Sequence, residues 1–386
     1  MLRSITIDLE SEVAMLKCID IQGEGGVSMR KVLLVLLMVL VLAGNLFAAG
    51  AKESDDTVKI GVSFADFATE RWPREAEMMT ELAKERGAEL IYQVANHDPK
   101  LQNDQIENMI LQGVDVIIII AQDGSAAVTA VEEAEKSGVK TIAYDRLIPS
   151  NKLSAYLTFD NVEIGRAQAR GILKVKDSGN FMLLGGSLDD NCAVLVREGQ
   201  MEVLQPYIDK GQIKVVVDQW VQNWDPAEAT KIMENALTAQ QNRIDAVVSS
   251  NDGTALGALQ ALEAQGLGGI VPLSGQDATA AGCQSIVDGG LTMTVFNDVR
   301  LLAPMAVDLA IDLVQNGAMV KELKEYSLYE LTVDETYRNA GNVGCYFIPV
   351  VEIDKSNVYE EIVVSGYQPY DEVYRNVPVA DRPPRP

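Results

Sequence analysis

Apolar residues along this chain alternate between short unbroken runs and sets spaced three to four residues apart. The runs at 58–64, 89–94, 114–121, 140–144 and 155–159 are rich in β-branched residues and too short for helices, and they predict buried strands. Between them, 70–86 places Trp72, Ala76, Met79, Leu82 and Ala83 on one helical face. The segments 103–112 (Ile106, Met109, Ile110) and 126–136 repeat that period. Gly87 and Gly138 stand just past two of these helices, where a left-handed residue closes the last turn. After Asp160-Asn161 the alternation restarts, with helices predicted at 162–173, 193–208, 226–240, 253–265 and 278–289. The strands between and after them are predicted at 180–185, 213–219, 246–250, 270–275 and 292–296, followed by a helix at 301–315 and an apolar stretch at 344–351. Such alternation implies parallel sheets with helices on both faces. Two rounds in one chain predict an α/β protein of two Rossmann-like lobes. No Gly/Ser or Pro linker divides them, so the predicted join is a set of strand-like crossings.

The apolar runs end abruptly in polar side chains. Residues 141–144 meet Asp145-Arg146, 116–121 meet Gln122-Asp123-Gly124, 246–250 meet Asn251-Asp252-Gly253, and 272–275 meet Gln276-Asp277. A buried parallel strand has no use for a charge inside it. Open α/β sheets do bind ligands outside the carboxyl ends of their strands. The strand ends are therefore predicted to converge on one small polyhydroxylated ligand.

At 386 residues, 47% hydrophobic and 23% charged, the composition is that of an ordinary globular protein larger than one core normally serves. A formal net charge of −24 argues against nucleic acid or an anionic membrane surface as partner. Met29-Arg30-Lys31, the apolar run 32–43 and the small residues Ala48, Ala49, Gly50 and Ala51 have the order of a secretory signal peptide. Residues 29–51 are expected to be that leader and 1–28 an over-extended reading frame. Residues 377–386, ending in Arg-Pro-Pro-Arg-Pro, are expected to be a disordered tail.

Cys192, Cys283 and Cys345 show neither metal spacing nor a disulfide framework and read as buried thiols, with a bridge from Cys283 to either of the others as the alternative. The single histidine, His97, sits in a turn-like stretch and reads as a surface residue, against a Ser-His-Asp triad or transition-metal catalysis. Asp189-Asp190 and Asp252 could suggest a metal, but no EF-hand pattern surrounds them. Leu184-Gly185-Gly186-Ser187 matches no nucleotide-binding motif. No cofactor or metal is expected. Binding a sugar needs carboxylates and amides for paired hydrogen bonds, Arg for forked donation and an indole to stack on. Trp72, Trp220 and Trp224 all lie beside strand ends, Trp224 in the least core-like setting. Arg71, Asp145, Arg146, Arg197, Asn251 and Asp277 are the polar candidates, each of which could singly be a surface pair or a helix cap.

At these residues the chain resembles the periplasmic sugar-binding proteins of ABC transporters, of ribose-binding-like fold, and within them the xylose-binding branch. The resemblance covers about 58–367. Glu70-Arg71-Trp72, Ala143-Tyr144-Asp145-Arg146, Phe159-Asp160-Asn161, Arg197-Glu198-Gly199-Gln200-Met201, Asp218-Gln219-Trp220 and Ser274-Gly275-Gln276-Asp277 carry it. It implies a three-crossing hinge between a first lobe of 56–160 plus 297–345 and a second of 161–296 plus 346–376. It implies sugar hydroxyls held by Arg71, Asp145, Arg146, Arg197, Asn251 and Asp277, with Trp72 and Asn191 nearby and Trp224 stacked on the ring. It implies a monomer in the periplasm that catalyses nothing and hands a monosaccharide to an ABC permease in the inner membrane, with a chemoreceptor as a further possible partner. Two departures stand out. Asn297 replaces a lysine usual in the family, and Cys192 replaces an asparagine of the xylose binders. Two other readings remain: a sugar-sensing module, and a secreted carbohydrate-active enzyme with Asp145 and Asp277 as its paired carboxylates.

Overall fold

The computed structural model describes residues 57–317 and 323–386. The expected leader and upstream extension lie outside the described residues. The first round comprises β1 (Lys59–Phe64), α1 (Arg71–Glu85), β2 (Glu89–Val94), α2 (Pro99–Leu111), β3 (Val116–Ile119), α3 (Gly124–Lys136), β4 (Lys140–Tyr144) and β5 (Ala155–Phe159). The second comprises α4 (Asn161–Leu173), β6 (Gly179–Gly185), α5 (Asn191–Asp209), β7 (Ile213–Trp220), α6 (Pro226–Gln240), β8 (Ala246–Ser249), α7 (Asp252–Ala264), α8 (Ala280–Asp288) and β9 (Met293–Phe296). Then come α9 (Val299–Gln315), β10 (Lys324–Ser327), α10 (Leu328–Thr332), β11 (Asn342–Ile348), β12 (Val351–Asp354) and α11 (Tyr370–Val373). Helix α2 begins well before its apolar period does, because Asp98 caps it and Pro99 occupies its first turn.

One sheet has seven strands in the order β10-β11-β5-β4-β3-β1-β2, parallel except for β10 against β11. The other is the parallel trio β7-β6-β8, linked by single bridges at Leu273 and Ser274 to the antiparallel pair β9 and β12. The strand expected at 270–275 is reduced to those bridges. Pro272 has no N–H for the ladder and only accepts, from Val247. In β3 the period of two decides the packing. Val116 and Ile118 face a core shared with Met79 of α1 and Leu302 of α9. Ile117 and Ile119 face another, shared with Ile106 of α2 and Val131 of α3.

The chain passes between the sheets three times: from β5 into α4, from β9 into α9, and from β11 to β12. The third passage lies at Pro349-Val350. The boundary expected between 345 and 346 falls inside β11, because the apolar stretch gives no break until the proline. The tail expected to be disordered is instead tied down. Tyr359 and Tyr370 donate their hydroxyls to the carbonyls of Pro384 and Pro383, at 2.8 and 2.7 Å, and Arg385 pairs with Asp371 at 2.5 Å. The tyrosines and acids just upstream supply partners that the proline-rich end cannot find in itself.

Helices α4 and α5 cross at two glycines. A Cβ on Gly165 would lie 1.9 Å from the Val196 carbonyl, and one on Gly199 would lie 1.9 Å from that of Val162. Gly165→Ala is therefore expected to lower stability by about 1–3 kcal/mol through overpacking. Urea unfolding measures it, and an unchanged midpoint would mean that the helices part freely.

Candidate functional site

The carboxyl ends of the two sheets face a cleft of about 530 Å³. Thr69, Arg71 and His97 line it from the first lobe, and Trp224, Asn251 and Asp277 from the second. Arg71 opens α1, and its side chain is almost wholly buried among carboxylates. Its guanidinium lies 2.5 Å from Glu75, 2.9 Å from Asp145 and 3.9 Å from Asp277. Glu75 also accepts the hydroxyl of Tyr144, from β4. Burial works against the charge on Arg71, but Asp145, Glu75 and Asp277 together hold its pKa well above its ordinary value. Burial pushes Asp277 up to about 6, against the pull of Arg71.

Three of the expected site residues occupy the left-handed region, at φ of 64° for Asp145, 56° for Trp224 and 96° for Asp277. Non-glycine residues rarely adopt it, and such strain concentrates at functional positions. Each is held from several sides. The Asp145 carbonyl accepts from the hydroxyls of Tyr156 and Thr158, at 3.0 and 2.8 Å, and from the Cys192 thiol at 3.2 Å. The Trp224 indole lies against Gly186, where a Cβ would sit 2.2 Å from the ring. Gly185 leaves the same room for Trp220. The glycine pair that matched no nucleotide motif is thus a bed for two indoles.

Arg146 donates to the Ala121 carbonyl at 3.2 Å and lies 3.0 Å from Asp190 in the second lobe. Asp190 also accepts from the Trp224 indole N–H at 3.2 Å and from the Cys192 N–H at 2.9 Å. Burial raises its pKa, with Arg146 opposing. Asn251 uses its amide oxygen to cap α7 at Thr254, 2.8 Å away, so it is both a cap and part of the cleft wall. Asn297 stands behind Asp277, 3.4 Å from its carboxylate, and its own amide oxygen has no partner among the described residues.

Six expected site residues do not line this cleft: Asp145, Arg146 and Asn297, which stand behind its wall residues, and Trp72, Asn191 and Arg197. Trp72 is 2% exposed, packed in the core, with the guanidinium carbons of Arg71 and Arg146 at 4.4 and 5.9 Å from its ring. Asn191 donates to the Leu331 carbonyl at 2.8 Å. Arg197 pairs with Asp218, donates to Gln200 at 3.0 Å and covers Trp220 at 4.6 Å. Asn191 and Arg197 line a separate cavity of about 910 Å³, bounded by α3, α5 and residues 332–337. His97, expected at the surface, is in the cleft wall, with its Nδ1 3.2 Å from the Gln122 amide oxygen. Gln122 reaches on to Asn223 of the second lobe at 3.4 Å. Asp190, Gln122 and Asn223 were missed as site residues. Gln122 sat in one of the polar strand ends and Asn223 beside Trp224, so a signal existed for both. Among the described residues the three thiols are free and buried.

The cleft and the residues behind it thus present carboxyl acceptors, a forked donor and an indole from two lobes, and suit a small ligand rich in hydroxyls. A family described as periplasmic binding protein domain matches residues 60–318. The D-xylose-binding periplasmic protein of Escherichia coli K12 is 43% identical over 345 residues, 89% of this chain and 99% of that one. Its counterpart from Haemophilus influenzae is 42% identical over 338 residues, 88% and 98% of the two chains. An ABC transporter solute-binding protein from Clostridium phytofermentans, solved with bound β-D-glucose, superposes with a TM-score of 0.71 at 31% identity, covering 82% of this chain and 99% of its own.

In the fold Asp277 keeps its proton to about pH 6, whereas an unfolded carboxyl releases it near pH 4. Between those values the folded protein binds the extra proton, so this group's contribution to stability falls as pH rises from about 4 to about 6. Urea unfolding across that range should show Asp277→Asn gaining on the unchanged chain as pH rises. A difference that does not move with pH contradicts the raised carboxyl.

Proposed function

This chain belongs to the periplasmic binding protein domain family, and from that membership we propose that it is the substrate-binding component of a sugar ABC importer. Its ligand is a monosaccharide, D-xylose before other aldopentoses and hexoses, held between the lobes. The observation that carries the reading is the Arg71 cluster, in which carboxylates from both sheets meet one guanidinium at a cleft walled by Trp224. Asp145, Asp277 and Arg71 meet hydroxyls by charge-assisted hydrogen bonds, while the indole covers the C–H face of the ring. The lobes close on the sugar about the three crossings, and the closed form, favoured by the sugar's differential affinity, is what an inner-membrane permease recognises. The protein acts as a monomer in the periplasm, without cofactor. It performs no catalysis: Asp145 and Asp277 both face Arg71, which suits fixed acceptors better than an acid and base pair. The names of the relatives support D-xylose, while Asn297 and Cys192, at the two departures from the xylose-binder pattern, bear on which sugar binds best.

Thermal unfolding of residues 52–386 against a panel of monosaccharides tests this directly. A ligand at a hundred times its dissociation constant adds about 2.7 kcal/mol. The largest upward shift is expected with D-xylose. A larger one with glucose, ribose or arabinose would reassign the ligand, and no shift with any sugar would remove the transport reading. Trp224→Ala is expected to weaken binding at least about tenfold, roughly 1.4 kcal/mol, by titration calorimetry. Unchanged affinity would take the indole out of the site.

A further inference from the structure

The loop that carries Asp277 runs through two consecutive left-handed residues, Asp277 and Ala278, at φ of 96° and 47°. Neither is glycine, so the conformation must be imposed by what surrounds it. Part of the constraint is β9, since the Asp277 N–H donates to the Val295 carbonyl at 2.8 Å. A second part is the Gln368 amide, which donates to the Ala278 carbonyl at 2.9 Å, and a third converges on Asp252, a wholly buried carboxylate that does not line the cleft.

Its two oxygens take different parts of the loop. Oδ2 accepts the N–H and the hydroxyl of Thr279, at 2.8 and 3.0 Å. Oδ1 accepts the hydroxyl of Thr294 at 2.7 Å, and that hydroxyl in turn accepts the Ala278 N–H at 3.3 Å. The Asp252 N–H donates to the Gln276 carbonyl at 3.0 Å. The backbone of 276, 278 and 279 is therefore referred to one residue, directly or through one hydroxyl. Two glycines clear its place. A Cβ on Gly275 would lie 2.1 Å from Oδ1, and one on Gly282 would lie 2.2 Å from Oδ2. Burial, with the charge of Asp277 beside it, raises the pKa of Asp252 to about 7, and the threonine bonds oppose that rise. All its acceptor bonds are to N–H and O–H donors, a task that only a carboxylate performs with both oxygens.

We propose that Asp252, acting through Thr294 and Thr279, is a positioning residue that holds the Asp277 loop in its left-handed form and so aims the Asp277 carboxylate at the sugar. This rests on the sugar-binding reading above. Asp252 touches no ligand itself. Its effect reaches the site through the backbone of residues 276–279.

Two substitutions at Thr294 separate anchoring from packing. Thr294→Val keeps the shape and removes the hydroxyl that links Ala278 to Asp252, whereas Thr294→Ser keeps the hydroxyl and removes a methyl. Deuterium uptake of a peptide covering 275–280, in the sugar-free protein, is expected to rise in Thr294→Val and to stay near that of the unchanged chain in Thr294→Ser. Affinity for D-xylose and D-glucose, by calorimetry, is expected to fall by about tenfold or more in the first and to return in the second. Unchanged uptake in Thr294→Val overturns the proposal, as does faster uptake with unchanged affinity. Equal losses in both variants would also overturn it, since they would mark a packing role. An unchanged chain that binds neither sugar strikes the sugar reading instead, and uptake in Thr294→Val then decides the anchoring alone. If Thr294→Val does not fold, Asp252→Asn carries the same two measurements, because its side chain has one acceptor oxygen where Asp252 uses two.

Discussion

A guanidinium taken out of water must be surrounded by acceptors, and the way Arg71 meets that demand organises this molecule. Two of its carboxylates, Glu75 and Asp145, come from its own lobe, and the third, Asp277, comes from the other. Burying any of these charges alone would be strongly unfavourable, and burying them together is tolerable only in good geometry. That requirement reaches outward. Glu75 recruits the Tyr144 hydroxyl, which fixes the end of β4. Asp145, the next residue, then turns into a left-handed conformation beside Arg71.

A second buried carboxylate repeats the arrangement from the opposite side. Asp190 opens α5 in the second lobe, yet it pairs with Arg146 of the first and orients the indole of Trp224. The lobes therefore meet through charges of opposite sign that belong to different sheets. A ligand with several hydroxyls can enter such a network by taking over acceptors and donors already in place, so the side chains need little rearrangement when the lobes close. This is the preorganisation that lets a small polar molecule compete with water.

Six of the expected site residues fall into two cavities between the lobes. The smaller holds Arg71, Trp224, Asn251 and Asp277. The larger holds Asn191 and Arg197, whose side chains are engaged by Leu331, Asp218 and Gln200. The resemblance grouped all six as one site. In the structure Arg146 with Asp190, and Gln122 with Asn223, join the lobes without lining the larger cavity.

Much of the architecture was legible in the residue pattern, because it is set by local physics. The period of two in β3, the helical spacing of Trp72, Ala76, Met79 and Ala83, and glycines such as Gly87 at helix ends each mark an element without reference to the rest of the chain. Polar residues at strand ends pointed to Asp145, Asn251 and Asp277, since a charge is excluded from a buried strand but not from its exit. What the pattern could not hold was anything dependent on a partner distant in sequence. That Trp72 is core depends on Phe64 and the cluster around it, and that Trp224 is wall depends on Gly186 and Asp190. That His97 faces the cleft depends on Gln122. That the tail is tied down depends on the hydroxyls of Tyr359 and Tyr370. The buried role of Asp252 depends on Thr294, and on glycines that leave it room. Periodicity records which way a side chain points along its own element. Only the packing of the two lobes decides what it meets there, because buried charges and left-handed turns are stable only where the rest of the fold supplies their partners.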